Sequence, residues 1–227
     1  TVARITINNG GSLLADSNSR TLTLNPDTNQ TAFTVSNSTA FVPSNSTVVI
    51  NSTSSIAVNV GTITFNNLSF TPTSVLAHAY TLGSSSVTCL GTFLMNPTKA
   101  SAGLITTTVN LGAPMRVVST TTIQATTNAR CSFTTTAGNY AFTSGQINVN
   151  TNGTFLANAS QITLSGTSSP LFTRTGTFTQ GTSTVTVIST ATLTVTNNAT
   201  VTFNHLVLAP TLEVDQTYTF GTSALAI

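Results

Sequence analysis

Apolar and hydroxyl-bearing residues alternate in short runs along most of this chain. Arg4-Ile-Thr-Ile7, Thr21-Leu-Thr-Leu24, Thr47-Val-Val-Ile50, Thr62-Ile-Thr-Phe65, Gln146-Ile-Asn-Val149, Gln161-Ile-Thr-Leu164, Thr184-Val-Thr-Val187 and Thr200-Val-Thr-Phe203 are the clearest. A period of two puts apolar side chains on one side of a strand and hydroxyls on the other. β-branched Thr, Val and Ile suit a pleated surface. Asn, Gly, Ser and Pro fill the gaps between runs, as turn formers do. Helical periodicity is nearly absent. The pattern predicts an all-β chain of short strands.

The strands recur at two scales. Thr62 to Thr73 and Thr200 to Thr211 share seven of twelve residues at an offset of 138, and Tyr80-Thr-Leu-Gly83 pairs with Tyr218-Thr-Phe-Gly221 at the same offset. With a one-residue slip, Phe41 and Ser46-Thr-Val48 match Phe178 and Ser183-Thr-Val185. Gly153-Thr-Phe returns as Gly176-Thr-Phe, and this shorter spacing divides evenly both the interval from Gly61 to Gly153 and the long offset. A period in the low twenties is that of one coil of a parallel β-helix or solenoid. Successive coils would stack at about 4.8 Å. Tandem β-sandwich domains, with the long offset as the domain repeat, are the alternative. The long repeat divides the chain into residues 1–40 (N-terminal strands, a cap or a donated strand), 41–177 (a first unit) and 178–227 (a second, incomplete unit).

Charge changes the picture most. Only 4% of the 227 residues are charged and 39% are hydrophobic, against about 25% charged in an ordinary domain. Ser and Thr make up roughly a third of the sequence. Six scattered basic residues and four acids leave a net charge of +2. A nucleic-acid surface needs a concentrated basic stripe, and none is present. No apolar run reaches the eighteen or so residues of a membrane span. With little charge to hold copies apart, self-association is easy.

Ser169-Pro-Leu-Phe-Thr-Arg-Thr-Gly-Thr-Phe-Thr-Gln-Gly-Thr-Ser-Thr-Val-Thr-Val187, Val201-Thr-Phe-Asn-His-Leu-Val-Leu208 and Tyr218-Thr-Phe-Gly221 resemble the repeats of very large, charge-poor bacterial surface proteins of the candidate-phylum type. Thr135 to Phe142 and Gly153 to Gly166 fit the same style. The resemblance covers roughly the second half and residues 41–95. It implies a secreted or wall-attached, solenoid-like protein, and its structural motifs carry no catalytic residues across.

Candidate chemistry is sparse. A glycosidase needs two carboxylates about 5–10 Å apart. The acids are Asp16, Asp27, Glu213 and Asp215. Glu213 and Asp215 would share one side of a strand, but they follow Pro210 in turn-like sequence and read as a solvated edge. His78 and His205 are not repeat equivalents, and two His with two Cys are too few for a zinc site. No metal or other cofactor is expected. Regular Thr-X-Thr faces could order water as ice-binding solenoids do, although the same pattern covers any charge-poor strand.

Cys89 and Cys131 are the only cysteines. An even count in a chain read as secreted favours a disulfide, worth roughly 4 kcal/mol on the chain-entropy model. Their separation is near two coils, and two coils of about 4.8 Å exceed disulfide reach. A bond therefore requires an excursion within 96–130. The alternative is two buried apolar residues. Asn-X-Ser/Thr sequons stand at Asn29, Asn37, Asn45, Asn51, Asn67, Asn152, Asn158 and Asn198. They are candidate glycosylation sites, in a composition that generates about as many by chance.

The second repeat copy stops at Ile227, the position matching Cys89. The pattern thus expects either a longer polypeptide or completion by another subunit. Val2, Ile5 and Ile7 form an ordinary first strand or one donated to a neighbour. Leu225 and Ile227 are the candidate joining residues at the other end. The sequence points to a non-enzymatic extracellular structural protein, a subunit of a surface filament, sheath or fibre. Its expected partners are copies of itself and cell-surface glycans. A glycan-binding adhesin and a polysaccharide-cleaving β-helix are the alternatives.

Overall fold

The chain folds as a parallel β-solenoid. The computed structural model describes residues 1–26, 31–52, 56–58, 61–99, 104–188, 193–195, 200–211, 218–220 and 225–227. Every strand pair among them is parallel, and none of them is helical. Three faces repeat in order along the chain. Face one contains His78–Leu82, Ile105–Leu111, Ala129–Thr134, Gly153–Leu156 and Thr177–Thr179. Faces two and three form one 12-stranded sheet bent at a corner. Met115–Ile123 and Phe142–Val149 each run through that corner, and their register shifts between Val117 and Thr120.

The register gives the coil length directly. On face one, Cys131 pairs with Gly153, and Thr154 pairs with Thr177. Elsewhere the step from coil to coil is as short as that from Thr47 to Asn67 and as long as that from His78 to Thr107. The short period read from the sequence is therefore the stacking period, with corners absorbing the variation. Gly153 and Gly176 lie one above the other, as their spacing predicts.

The offset of 138 is not a stacking period. On face two, Ile63 pairs Val87, and the column continues through Met115, Phe142, Ile162 and Val185 to Leu206. The long repeat aligns Ile63 with Val201 instead. Leu68, which the long repeat aligns with Leu206, lies on face three against Phe93. The two copies of the motif thus occupy different faces. Each face asks for the same apolar-in, polar-out alternation, so one motif serves any of them. The stack also runs on through residues 40 and 177: Leu13 pairs Phe41, and Thr177–Thr179 crosses the second position.

Inward alternation builds the core. Ile105–Leu111 buries Ile105, Thr107, Val109 and Leu111 and turns Thr106, Thr108 and Asn110 outward. Aromatic rings stack along the axis. Phe33, Phe41 and Phe65 form one cluster, with centroids 5.1–5.9 Å apart. Phe70, Tyr80, Phe93, Phe133, Phe142, Phe155, Phe178, Phe172 and Phe203 carry the column further. Edge and tilted contacts of this kind add to burial. At the corner leaving face three, Asn51, Thr71, Asn96, Gln124 and Asn150 each bond through backbone N–H to the coil before. Asn150 Nδ2 also donates to Gln124 Oε1 at 3.0 Å. Backbone bonds between coils thus satisfy this corner, and the side-chain amides add a bond between coils without charge.

Candidate functional site

Hydroxyls dominate the outward columns. On face two, Thr64, Thr88, Arg116, Thr143, Thr163 and Thr186 follow one another in register. Arg116 interrupts the threonines, and the column beside them reads Gln161, Thr184, His205. This is a mixed polar face rather than two unbroken rows of threonine.

The corner from face three to face one is more distinctive. Ser132, Thr154 and Thr177 stand in register, and Thr154 and Thr177 form one rim. Two places earlier in the same coils, Arg130, Asn152 and Thr175 form the parallel rim. Gly153 and Gly176 lie between, leaving backbone as the floor. A groove of about 470 Å³ opens here. Arg130 Nη1 donates to Asn152 Oδ1 at 2.8 Å, and Asn152 Nδ2 donates to the Thr126 carbonyl at 3.1 Å. Asn152 adopts φ +63°, a left-handed conformation that Asn tolerates. Arg130 has no carboxylate partner among the described residues, where Arg20 with Asp16 is the one ion pair, at 3.2 Å.

The sequence-predicted residues do not converge. Asp27, Glu213 and Asp215 lie outside the described residues, as do Asn29 and Asn198. Asp16 sits on the exposed surface with Arg20. No group of three or more His, Cys, Asp or Glu comes together among the described residues. Cys89 and Cys131 are free thiols on different faces. Cys89 is paired with Phe65 and Val117, and Cys131 with Thr107 and Gly153. The disulfide is not formed, because the chain passes one full coil from Cys89 to Val117 and then turns onto another face before Cys131. Burial raises both thiols, Cys131 to about 12, which keeps them protonated and unreactive.

The sequons divide by what their amides do. Asn45 Nδ2 donates to the Ser17 carbonyl, Asn67 Nδ2 to Thr47 Oγ1, and Asn158 Nδ2 to Thr134 and Thr135 hydroxyls. Asn152 is committed to the groove rim, and Asn51 is half-buried in the corner ladder. Asn37 is exposed, and its Oδ1 accepts from both N and Oγ1 of Thr39, at 3.0 and 3.1 Å. Of the candidate joining residues, Ile5 and Ile7 pair with the chain's own Phe33 and Val35, and Val2 bridges Leu24. Leu225 pairs in register with Val201, and Ile227 is exposed.

His78 is buried, with its Nε2 2.5 Å from Ser74 Oγ. Tyr80 packs at 6.4 Å, Thr107 is its register partner, and Lys99 pairs with Ser74. None of these neighbours is a carboxylate. Burial lowers the pKa of His78 below its ordinary 6.5. The unfolded chain then binds more protons than the folded one as pH falls through that range. Stability should therefore be full above 6.5 and decline below it. Thermal unfolding at pH 7 and pH 5 tests this. His78→Gln, which keeps a partner for Ser74 and does not titrate, should flatten that part of the dependence.

Fold and surface together define the class, a charge-poor parallel β-solenoid with hydroxyl-clad faces. No protein-family model, no curated protein and no solved structure matches the chain.

Proposed function

We propose that this chain is a structural rod of the extracellular surface, assembling with copies of itself into a filament, sheath or fibre. The carrying observation is the stack itself. Parallel strands bonded coil to coil around an aromatic column present almost uncharged, hydroxyl-covered faces. Each coil needs only its neighbours for stability, so the architecture extends without new surface chemistry. Few charges oppose side-by-side or end-to-end contact. A head-to-tail contact that does not close grows into a filament. The resemblance to repeats of large bacterial surface proteins supports the same reading and the extracellular location.

Electron microscopy of native material taken from the cell surface tests the proposal. Regular filaments of a β-rich repeat are expected. Isolated rods or globules at high concentration would overturn it.

A further inference from the structure

We propose that the Arg130 groove binds an acidic saccharide, a uronate-bearing oligosaccharide. The inference concerns a lateral surface and stands whether or not the rod polymerises.

The rims set the chemistry. One rim offers a cation, an amide and a hydroxyl in succession (Arg130, Asn152, Thr175), and the other offers hydroxyls from Thr154 and Thr177. Adjacent coils are about 4.8 Å apart, so the polar groups form a strip along the axis. Hydroxyls and amides both donate and accept, which matches a ligand whose own groups are hydroxyls. The one guanidinium at the rim matches one carboxylate and can hold it through two parallel hydrogen bonds. A volume of about 470 Å³ is that of a small-ligand site.

The groove is also fixed in place. Asn152 holds Arg130 and is itself held by the Thr126 carbonyl. The floor cannot fill, because a Cβ on Gly153 would collide with the Ile123 carbonyl and one on Gly176 with the Asn150 and Gly153 carbonyls. Nearby Arg174 is occupied otherwise: its Nε donates to the Gly176 carbonyl at 2.9 Å and its Nη1 to the Thr200 carbonyl. A single cation among hydroxyls favours a sugar acid over nucleic acid, which calls for several cations and aromatic platforms.

The test is calorimetric titration of the full chain with trigalacturonate, with a neutral trisaccharide, and with acetate at matched ionic strength. Saturable binding of trigalacturonate is expected, with the neutral sugar at least about tenfold weaker. Arg130→Gln should remove that preference, Asn152→Ala and Thr177→Val should each weaken binding several-fold, and Arg20→Gln should leave it unchanged. Far-ultraviolet circular dichroism checks that the variants remain folded. Absence of saturable binding, equal affinity for the neutral sugar, or full affinity in Arg130→Gln would each overturn the proposal. Competition by acetate at equal strength would mark a simple anion site and overturn it too. Filament formation is read separately by microscopy, so neither result stands in for the other.

Discussion

Replacing Phe133 by alanine is expected to cost about 3–5 kcal/mol, the range for a large aromatic removed from a packed core. Phe133 is fully buried and touches three rings: Phe142 at 5.0 Å, Phe93 at 5.3 Å and Phe155 at 5.6 Å. These rings belong to successive coils and to all three faces. The cavity would therefore open where the faces meet the axis, and no one strand can move in to close it. Domain stability is about 5–15 kcal/mol in total, so the loss is a large part of the whole. Urea unfolding followed by circular dichroism should show a much lower midpoint. Leu14→Ala supplies the comparison, since Leu14 is 69% exposed and its truncation should stay within about 0.5 kcal/mol. Equal midpoints for the two variants would mean that the aromatic column does not hold the stack together.

The same column explains how much of the fold was legible in the sequence. Alternation such as Ile105-Thr-Thr-Thr-Val-Asn-Leu111 announces a strand and the side it buries. The Gly153 to Gly176 spacing announces the coil, because both positions lie where backbone passes too close for a side chain. The long repeat is less direct. Leu68 and Leu206 share a motif but not a face, and alternation alone cannot say which face a strand joins. Corners of unequal length decide that, and their Ser, Thr and Asn residues carry no periodic signal. For the cysteines the even count favoured a bond and the coil count opposed it, and the two buried thiols stand apart on different faces. The groove was illegible for a further reason. Arg130, Asn152 and Thr175 each stand a whole coil from the next in the sequence, and only the register brings them into one rim. Asn152 did stand out as a sequon, a signal that pointed to an accessible polar turn but not to its role of holding Arg130.

Gly153→Ala should be as damaging as a core truncation, although it adds one methyl group. Gly153 is buried, and its φ is not in the left-handed region, so the cost is steric rather than conformational. An added Cβ would overlap the carbonyl oxygen and carbon of Ile123 and reach Asn150 O at 3.0 Å. These atoms carry hydrogen bonds: Asn150 N donates to Ile123 O of the coil before, and Gly153 N closes the turn onto Asn150 O, both at 2.9 Å. The methyl can be accommodated only by displacing backbone that carries hydrogen bonds. Overpacking of side chains alone costs about 1–3 kcal/mol, and lost buried hydrogen bonds add about 1–3 kcal/mol each. A total above about 3 kcal/mol is expected, read as a fall in the urea midpoint comparable with that of Phe133→Ala. Gly10→Ala separates the two kinds of glycine cost. Gly10 has φ +81° with nothing within 4 Å of its missing Cβ, so its replacement should cost only the left-handed penalty of about 1–2 kcal/mol. If Gly153→Ala were no worse than Gly10→Ala, coils would be able to shift past one another at this corner, and the fixed floor of the Arg130 groove would be lost with that result.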